Sequence, residues 1–129
     1  MLKQTAHDLV MAAKAQIQEC TPQQAAEQLA AGQRLVLDVR EADEYAAGHL
    51  PGAMNIPRGV LEFRLSADAA MANSAQPLLV YCKSGGRSAL AARVLQEMGY
   101  SQVLSVAGGF DACVAAGLPV AAPPSISYS

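Results

Sequence analysis

Two hydrophobic periods alternate along this chain. Four short runs are apolar on nearly every residue: Leu35-Val36-Leu37-Asp38-Val39, Met54-Asn55-Ile56, Leu78-Leu79-Val80-Tyr81 and Val103-Leu104-Ser105-Val106. Between them apolar residues recur every third or fourth position. Leu9, Val10, Ala13 and Ile17 predict an N-terminal helix over residues 5–17. Ala25, Ala26, Leu29 and Ala30 predict a second, opened by Thr21-Pro22 and stopped by Gly32. Glu41 to Ala47 reads as a short helix ended by Gly48, Pro51-Gly52 as a turn, and residues 58–73 as one or two short helices. Ser88 to Met98 is the most regular helical stretch, closed by Gly99, and Gly108-Gly109 opens a last helical turn that ends at Gly117. Runs apolar on both faces and separated by helices predict an α/β fold around a buried parallel sheet. The expected layout is a helical extension over residues 1–18, one domain over 19–120, and a loosely docked or disordered tail over 121–129 that contains Pro123-Pro124.

Composition narrows the class. At 129 residues and 52% apolar content, the chain has the size of one domain with one core. Nine basic residues against eleven acidic give a net charge of −2, so no global field is present to hold nucleic acid or an acidic membrane. No window has the length of a membrane span, and the apolar stretch Leu9 to Ala13, bounded by Asp8 and Lys14, is too short for a signal-peptide core. Three cysteines, Cys20, Cys82 and Cys113, are an odd number without metal-ligand spacing. This pattern fits a reducing compartment, and a cytoplasmic protein without structural disulfides or a metal is expected.

The chemistry concentrates in residues 82–88, Cys-Lys-Ser-Gly-Gly-Arg-Ser, between a predicted strand and a predicted helix. The positive end of the helix dipole, Lys83 and Arg87 all favour thiolate over thiol at Cys82. Gly85 and Gly86 permit left-handed dihedrals and close approach of the backbone, so that successive N–H groups form a nest for an anion. Arg87 adds a planar fork of donors, Lys83 a mobile cation at the rim, and Ser84 and Ser88 hydroxyls for the anion or the sulfur. Ser88 equally suits a helix cap. A cysteine at the end of a buried strand is by itself most often a packing residue, but apolar packing has no use for the glycine-rich basic loop that follows. Cys20 and Cys113 lack such a setting and read as packing residues. Asp38 and Arg40, at the end of their own strand, are expected to approach the same sheet edge.

Four segments, in order, give the chain its resemblance to the single-domain rhodaneses, a family of sulfurtransferases. They are Leu35 to Arg40; Glu44 to Pro57, which includes Gly48-His49-Leu50-Pro51-Gly52; the 82–88 loop; and Val106-Ala107-Gly108-Gly109-Phe110 with Gly117-Leu118-Pro119. The resemblance implies a five-stranded parallel sheet in the order 1-5-4-2-3 with helices on both faces. It implies Cys82 as the nucleophile, with Lys83, Ser84, Gly85, Gly86, Arg87 and Ser88 as the anion-binding loop. The Cys82 thiolate then takes a sulfane sulfur from thiosulfate or a persulfide donor and passes it to cyanide or a thiol, with no metal and no organic cofactor. Acceptors compatible with this chemistry are a small thiol or a thioredoxin-like protein. Asp38 and Arg40 read as a structural brace, His49 as structural rather than a general base, and Arg58 as a solvated first-turn residue rather than a pocket border. The chain departs from the family in the last segment, where Phe110 and Cys113 stand in place of tryptophans. This raises the question whether Cys113 meets sulfur from Cys82.

Two other functions fit parts of the pattern. A phosphatase or arsenate reductase of related fold needs a larger ring of amides, and with four residues between Cys82 and Arg87 this loop is one residue shorter than the tyrosine-phosphatase kind. A non-catalytic binding or oxidant-sensing module would keep the fold and the cysteine without turnover. The sequence does not choose between monomer and homodimer, since the helix over 5–17 suits a dimer contact or a cover for the sheet edge.

Overall fold

A computed structural model of the chain describes residues 1–122, so Pro123-Pro124 and most of the expected tail lie outside the described residues. Each of the four apolar runs forms a strand: β2 (Leu35–Asp38), β3 (Met54–Asn55), β4 (Leu78–Tyr81) and β5 (Val103–Val106). A fifth, β1 (Gln18–Cys20), carries no apolar run. It is an edge strand whose first two residues face solvent. The sheet is parallel throughout in the order β1-β5-β4-β2-β3, as the resemblance implied.

Alternation along the strands builds two cores. Leu37, Val39, Leu78, Val80, Cys82 and Val103 face one side, where Leu61 and Leu65 of α4 (Leu61–Ala67) and Ala91, Ala92 and Leu95 of α5 (Gly86–Glu97) cover them. Val36, Leu79, Tyr81 and Val106 face the other, beneath Ala25 of α2 (Pro22–Ala31) and Cys113 of α6 (Gly109–Ala115). Tyr45 of α3 (Ala42–Ala47) packs at the margin of this second core. All four residues of β4 are fully buried. At about 1.5–3 kcal/mol for each large apolar side chain, this central strand is the strongest anchor in the sheet.

Most predicted helix signals are realised. Thr21 accepts from Gln24 N–H in a capping box, Pro22 is the first helical residue, and Gly32 ends α2 at φ +70°. Two expectations shift. The N-terminal helix α1 (Ala6–Lys14) is shorter than residues 5–17, and it lies along α5 rather than on the sheet edge, which β1 forms. Ala121, the first residue of the tail expected to be loosely docked or disordered, is docked: its N–H and C=O both pair with the backbone of His49 at 2.8 Å. No helix among the described residues is long and apolar enough to cross a membrane.

Candidate active site

All five strands end at one edge of the sheet. There the chain leaves β2 through α3 towards β3, and leaves β4 through α5 towards β5, so the connections part in opposite directions. Such a switch point leaves a crevice beyond the strand ends where ligands bind in parallel sheets. An open cleft of about 430 Å³ lies here, lined by Arg40, Glu44 and Gly48 from the β2 side, Lys83 from the β4 side, and Phe110, Asp111, Val114 and Val120. A depression of about 360 Å³ between Leu65, Met98 and Tyr100 sits at the opposite end of the sheet, away from the cysteine loop.

Cys82 is the first residue after β4, and its side chain falls on the α5 face. Helix α5 begins at Gly86, two residues before the expected Ser88, so Ser88 lies in the first turn and is not the cap. This places two free N–H groups at the sulfur: Gly85 N–H donates to Sγ at 3.1 Å and Ser88 N–H at 3.3 Å. Gly85 takes φ +104°, and a Cβ there would stand 3.3 Å from Gly108 N. Gly86, expected to share that conformation, is helical with negative φ and faces Val10 of α1 instead. Ser88 Oγ lies 3.5 Å from Sγ and 3.3 Å from Gly85 O, and accepts a 2.9 Å bond from the fully buried Ser105. Ser88 accepts from the Cys82 thiol and donates its own proton to Gly85 O, a bond it can exchange for one to a charged sulfur. Lys83 and Ser84 are exposed at the outer rim.

The loop is clamped from behind by α6. Phe110 N–H donates to Cys82 O at 2.8 Å and Asp111 N–H to Lys83 O at 3.0 Å. Asp38 and Arg40, expected to brace the loop from beneath, are paired with each other at the end of β2. Arg40 pairs with Asp38 at 2.7 Å, donates to Gly48 O at 2.7 Å, and stacks its guanidinium 4.4 Å from the Phe110 ring centre. Both charges are buried, and Asn55 ties the strand end further by donating to the carbonyls of Asp38 and Arg40.

The sequence profile of the rhodanese-like domain matches residues 21–116. The chain belongs to the rhodanese-like family. Among curated relatives, the thiosulfate sulfurtransferase GlpE of Haemophilus influenzae is 38% identical over 103 residues, covering 79% of this chain and 92% of its own. Among solved structures, the human single-domain sulfurtransferase TSTD1 aligns with a TM-score of 0.69 at 28% identity, over 75% of this chain and 95% of its own. A Rhodopseudomonas palustris protein of unknown function, described as a possible tyrosine phosphatase, aligns with a TM-score of 0.86 at 29% identity, over 94% of this chain and 97% of its own. At family level the profile match and the two sulfurtransferases support sulfurtransferase chemistry.

Within this rhodanese-like frame the remaining candidates separate. His49 stacks on Tyr45 with ring centres 3.7 Å apart and directs Nδ1 at Tyr45 O, which is the structural reading. Arg58 pairs with Glu62 at 2.8 Å and does not line the cleft. Cys20 and Cys113 share the core on the opposite face of the sheet from Cys82. Burial, reinforced by the neighbouring Cys113, pushes the Cys20 thiol up to about 11, and burial raises Cys113 as well. Both therefore pack as neutral thiols.

Arg87 is placed differently from the anion-binding role expected of it. Its guanidinium forms a bidentate pair with Glu44, at 2.7 and 3.0 Å, across the crevice. Glu44 is held down to about 2 by that pairing, with help from the Glu41 N–H it accepts. The sequence reading singled out neither Glu44 nor Ser105. The available signals were a second acidic residue one turn into a helix that follows a strand, and a serine inside an apolar strand.

Proposed function

We propose that this rhodanese-like protein is a sulfurtransferase that carries sulfane sulfur as a Cys82 persulfide. The Cys82 thiolate attacks the outer sulfur of thiosulfate, the S–S bond of the donor breaks, and sulfite leaves with the bonding pair. A terminal persulfide anion then replaces the thiolate, with charge conserved. Attack on that outer sulfur by cyanide or an acceptor thiol, small or borne by a thioredoxin-like protein, restores Cys82. The observation that carries this reading is the pair of backbone donors aimed at Sγ, Gly85 at the N-cap and Ser88 in the first turn of a twelve-residue helix. Fixed N–H dipoles favour negative charge beside them and need no reorganisation during transfer. A persulfide donor loads the same position by the same displacement.

The Rhodopseudomonas palustris neighbour gives phosphoester hydrolysis a claim as a second reading. Two features of this chain oppose it. Only four residues separate Cys82 from Arg87, and the Arg87 fork is already filled by the Glu44 carboxylate instead of standing open to a phosphoryl group. Intact mass spectrometry after incubation with thiosulfate tests the reading directly. One added sulfur is expected on the native chain, removed by cyanide as thiocyanate and absent from Cys82→Ser. Failure to load sulfur from both thiosulfate and a low-molecular-weight persulfide, or turnover of an aryl phosphate at a comparable rate, would reverse it.

A further inference from the structure

The sequence presents the cysteine loop as basic, with Lys83 and Arg87 flanking Gly85 and Gly86. The fold balances that charge. Arg40 is consumed by Asp38, Arg87 by Glu44, and the exposed Lys83 shares the cleft with Asp111. Phe110, Val114 and Val120 complete a wall that is apolar rather than cationic. Of these pairs, Glu44 and Arg87 alone join the two sides of the crevice, from α3 after β2 to the first turn of α5 after β4. Arg87 lies in the first turn of α5 beside Ser88, whose N–H touches Sγ, and its charge is felt at Cys82, so a released guanidinium adds a cation to the field that an incoming anion meets. Both partners keep partial solvent access, 27% for Glu44 and 37% for Arg87, so the guanidinium can turn to another partner without unburying a charge.

We propose that Glu44 is a positioning residue that sets the charge selectivity of Cys82: by occupying the Arg87 fork, it withholds that cation from anions approaching the sulfur. The inference deepens the proposed function in taking Cys82 as the reacting atom, but it does not require that sulfur be what Cys82 carries. Glu44 touches neither the sulfur nor a substrate. It acts through Arg87, and its consequence is a site that discriminates less in favour of small dianions than its sequence suggests.

The test compares alkylation of Cys82 by iodoacetate, an anion, and iodoacetamide, its neutral counterpart, at low ionic strength. In both, the thiolate forms an S–C bond and iodide leaves. Changes in thiolate fraction or loop order move both rates together, so the ratio of the two second-order constants reports charge at the sulfur, which a merely structural role would leave unchanged. A unit charge on the order of 6 Å from the incoming carboxylate, screened by an effective dielectric constant of about 40, changes a rate about tenfold. Glu44→Gln, whose amide oxygen can still accept the Glu41 N–H, is expected to raise the iodoacetate-to-iodoacetamide ratio by about that factor, with the gain shrinking in high salt. Glu44→Ala must show the same gain, so that poor folding of one variant leaves the other to decide. The double variant Glu44→Gln/Arg87→Leu must return to the native ratio. An unchanged or lower ratio in the folded single variants, or a gain that survives loss of Arg87, overturns the proposal. If the ratio rises while no donor loads sulfur, the sulfurtransferase reading fails and the role of Glu44 stands. If sulfur loads and the ratio does not move, the reverse holds.

Discussion

Gly109→Ala isolates the dependence of the cysteine loop on α6. Gly109 has φ +61°, and a Cβ there would stand 2.6 Å from Cys82 O, Lys83 C and Lys83 O, all backbone atoms that cannot rotate away. Ordinary contacts begin near 3.4 Å, so the 82–83 peptide must retreat by most of an ångström. In doing so it stretches the bonds from Phe110 and Asp111 that hold Cys82 O and Lys83 O. Left-handed strain contributes about 1–2 kcal/mol, and overpacking against fixed backbone about 1–3 kcal/mol more. Gly32→Ala supplies the control, because Gly32 has φ +70° but nothing within 4 Å of its would-be Cβ, so only the strain remains. Urea unfolding of both variants is therefore expected to separate them, with Gly32→Ala less stable than the native chain by about 1–2 kcal/mol and Gly109→Ala by about 2–5 kcal/mol. Displacement of the reacting atom by about 1 Å can lower turnover on the order of a hundredfold. Cyanide-dependent thiocyanate formation should thus fall by that order in Gly109→Ala and stay near native in Gly32→Ala. Equal destabilisation of the two, or native turnover in Gly109→Ala, would show that α6 does not fix the loop.

Other expectations follow from pairs and burial. Asp38→Ala strands the buried Arg40 and should destabilise the fold by about 3–5 kcal/mol, with much of this recovered in Asp38→Ala/Arg40→Met; denaturant midpoints decide it. Ser105→Ala removes the donor behind Ser88 and should lower stability by about 1 kcal/mol while slowing iodoacetamide alkylation of Cys82 less than Ser88→Ala does, since only Ser88 reaches the sulfur. Glu44 has a folded pKa of about 2, below its usual 4.5, so its pairing stabilises the fold above pH 4.5 and that stability is lost as pH falls towards 2. Because more than a quarter of the side chain meets solvent, screening reduces the contribution to about 1 kcal/mol, and acid titration of Glu44→Gln should lack that step. Cys113→Ala should leave thiosulfate-derived mass addition on Cys82 intact, because Cys113 lies on the other face of the sheet.

What was legible in the sequence was contiguous. The strands β2, β4 and β5 announce themselves because their residues are buried on both faces, and the 82–88 loop because strand, glycines, cations and helix follow one another without interruption. β1 was illegible because a three-residue edge strand with one buried position has no periodicity to show. The start of α5 was misplaced by two residues because a glycine that begins a helix and a glycine that turns left-handed look alike in sequence, and only the geometry separates Gly86 from Gly85. The supports of the site were harder still, for they come from different strand ends. Ser105 reaches Ser88 across seventeen residues of chain and Glu44 reaches Arg87 across forty-three, and each is an ordinary residue in its own segment. Charge shows the consequence most clearly. Read along the chain, Lys83 and Arg87 make a basic loop; folded, the carboxylate brought in after β2 cancels one of them, so the electrostatic character of the site belongs to the strand order, which sets α3 opposite α5, more than to the motif that marks it.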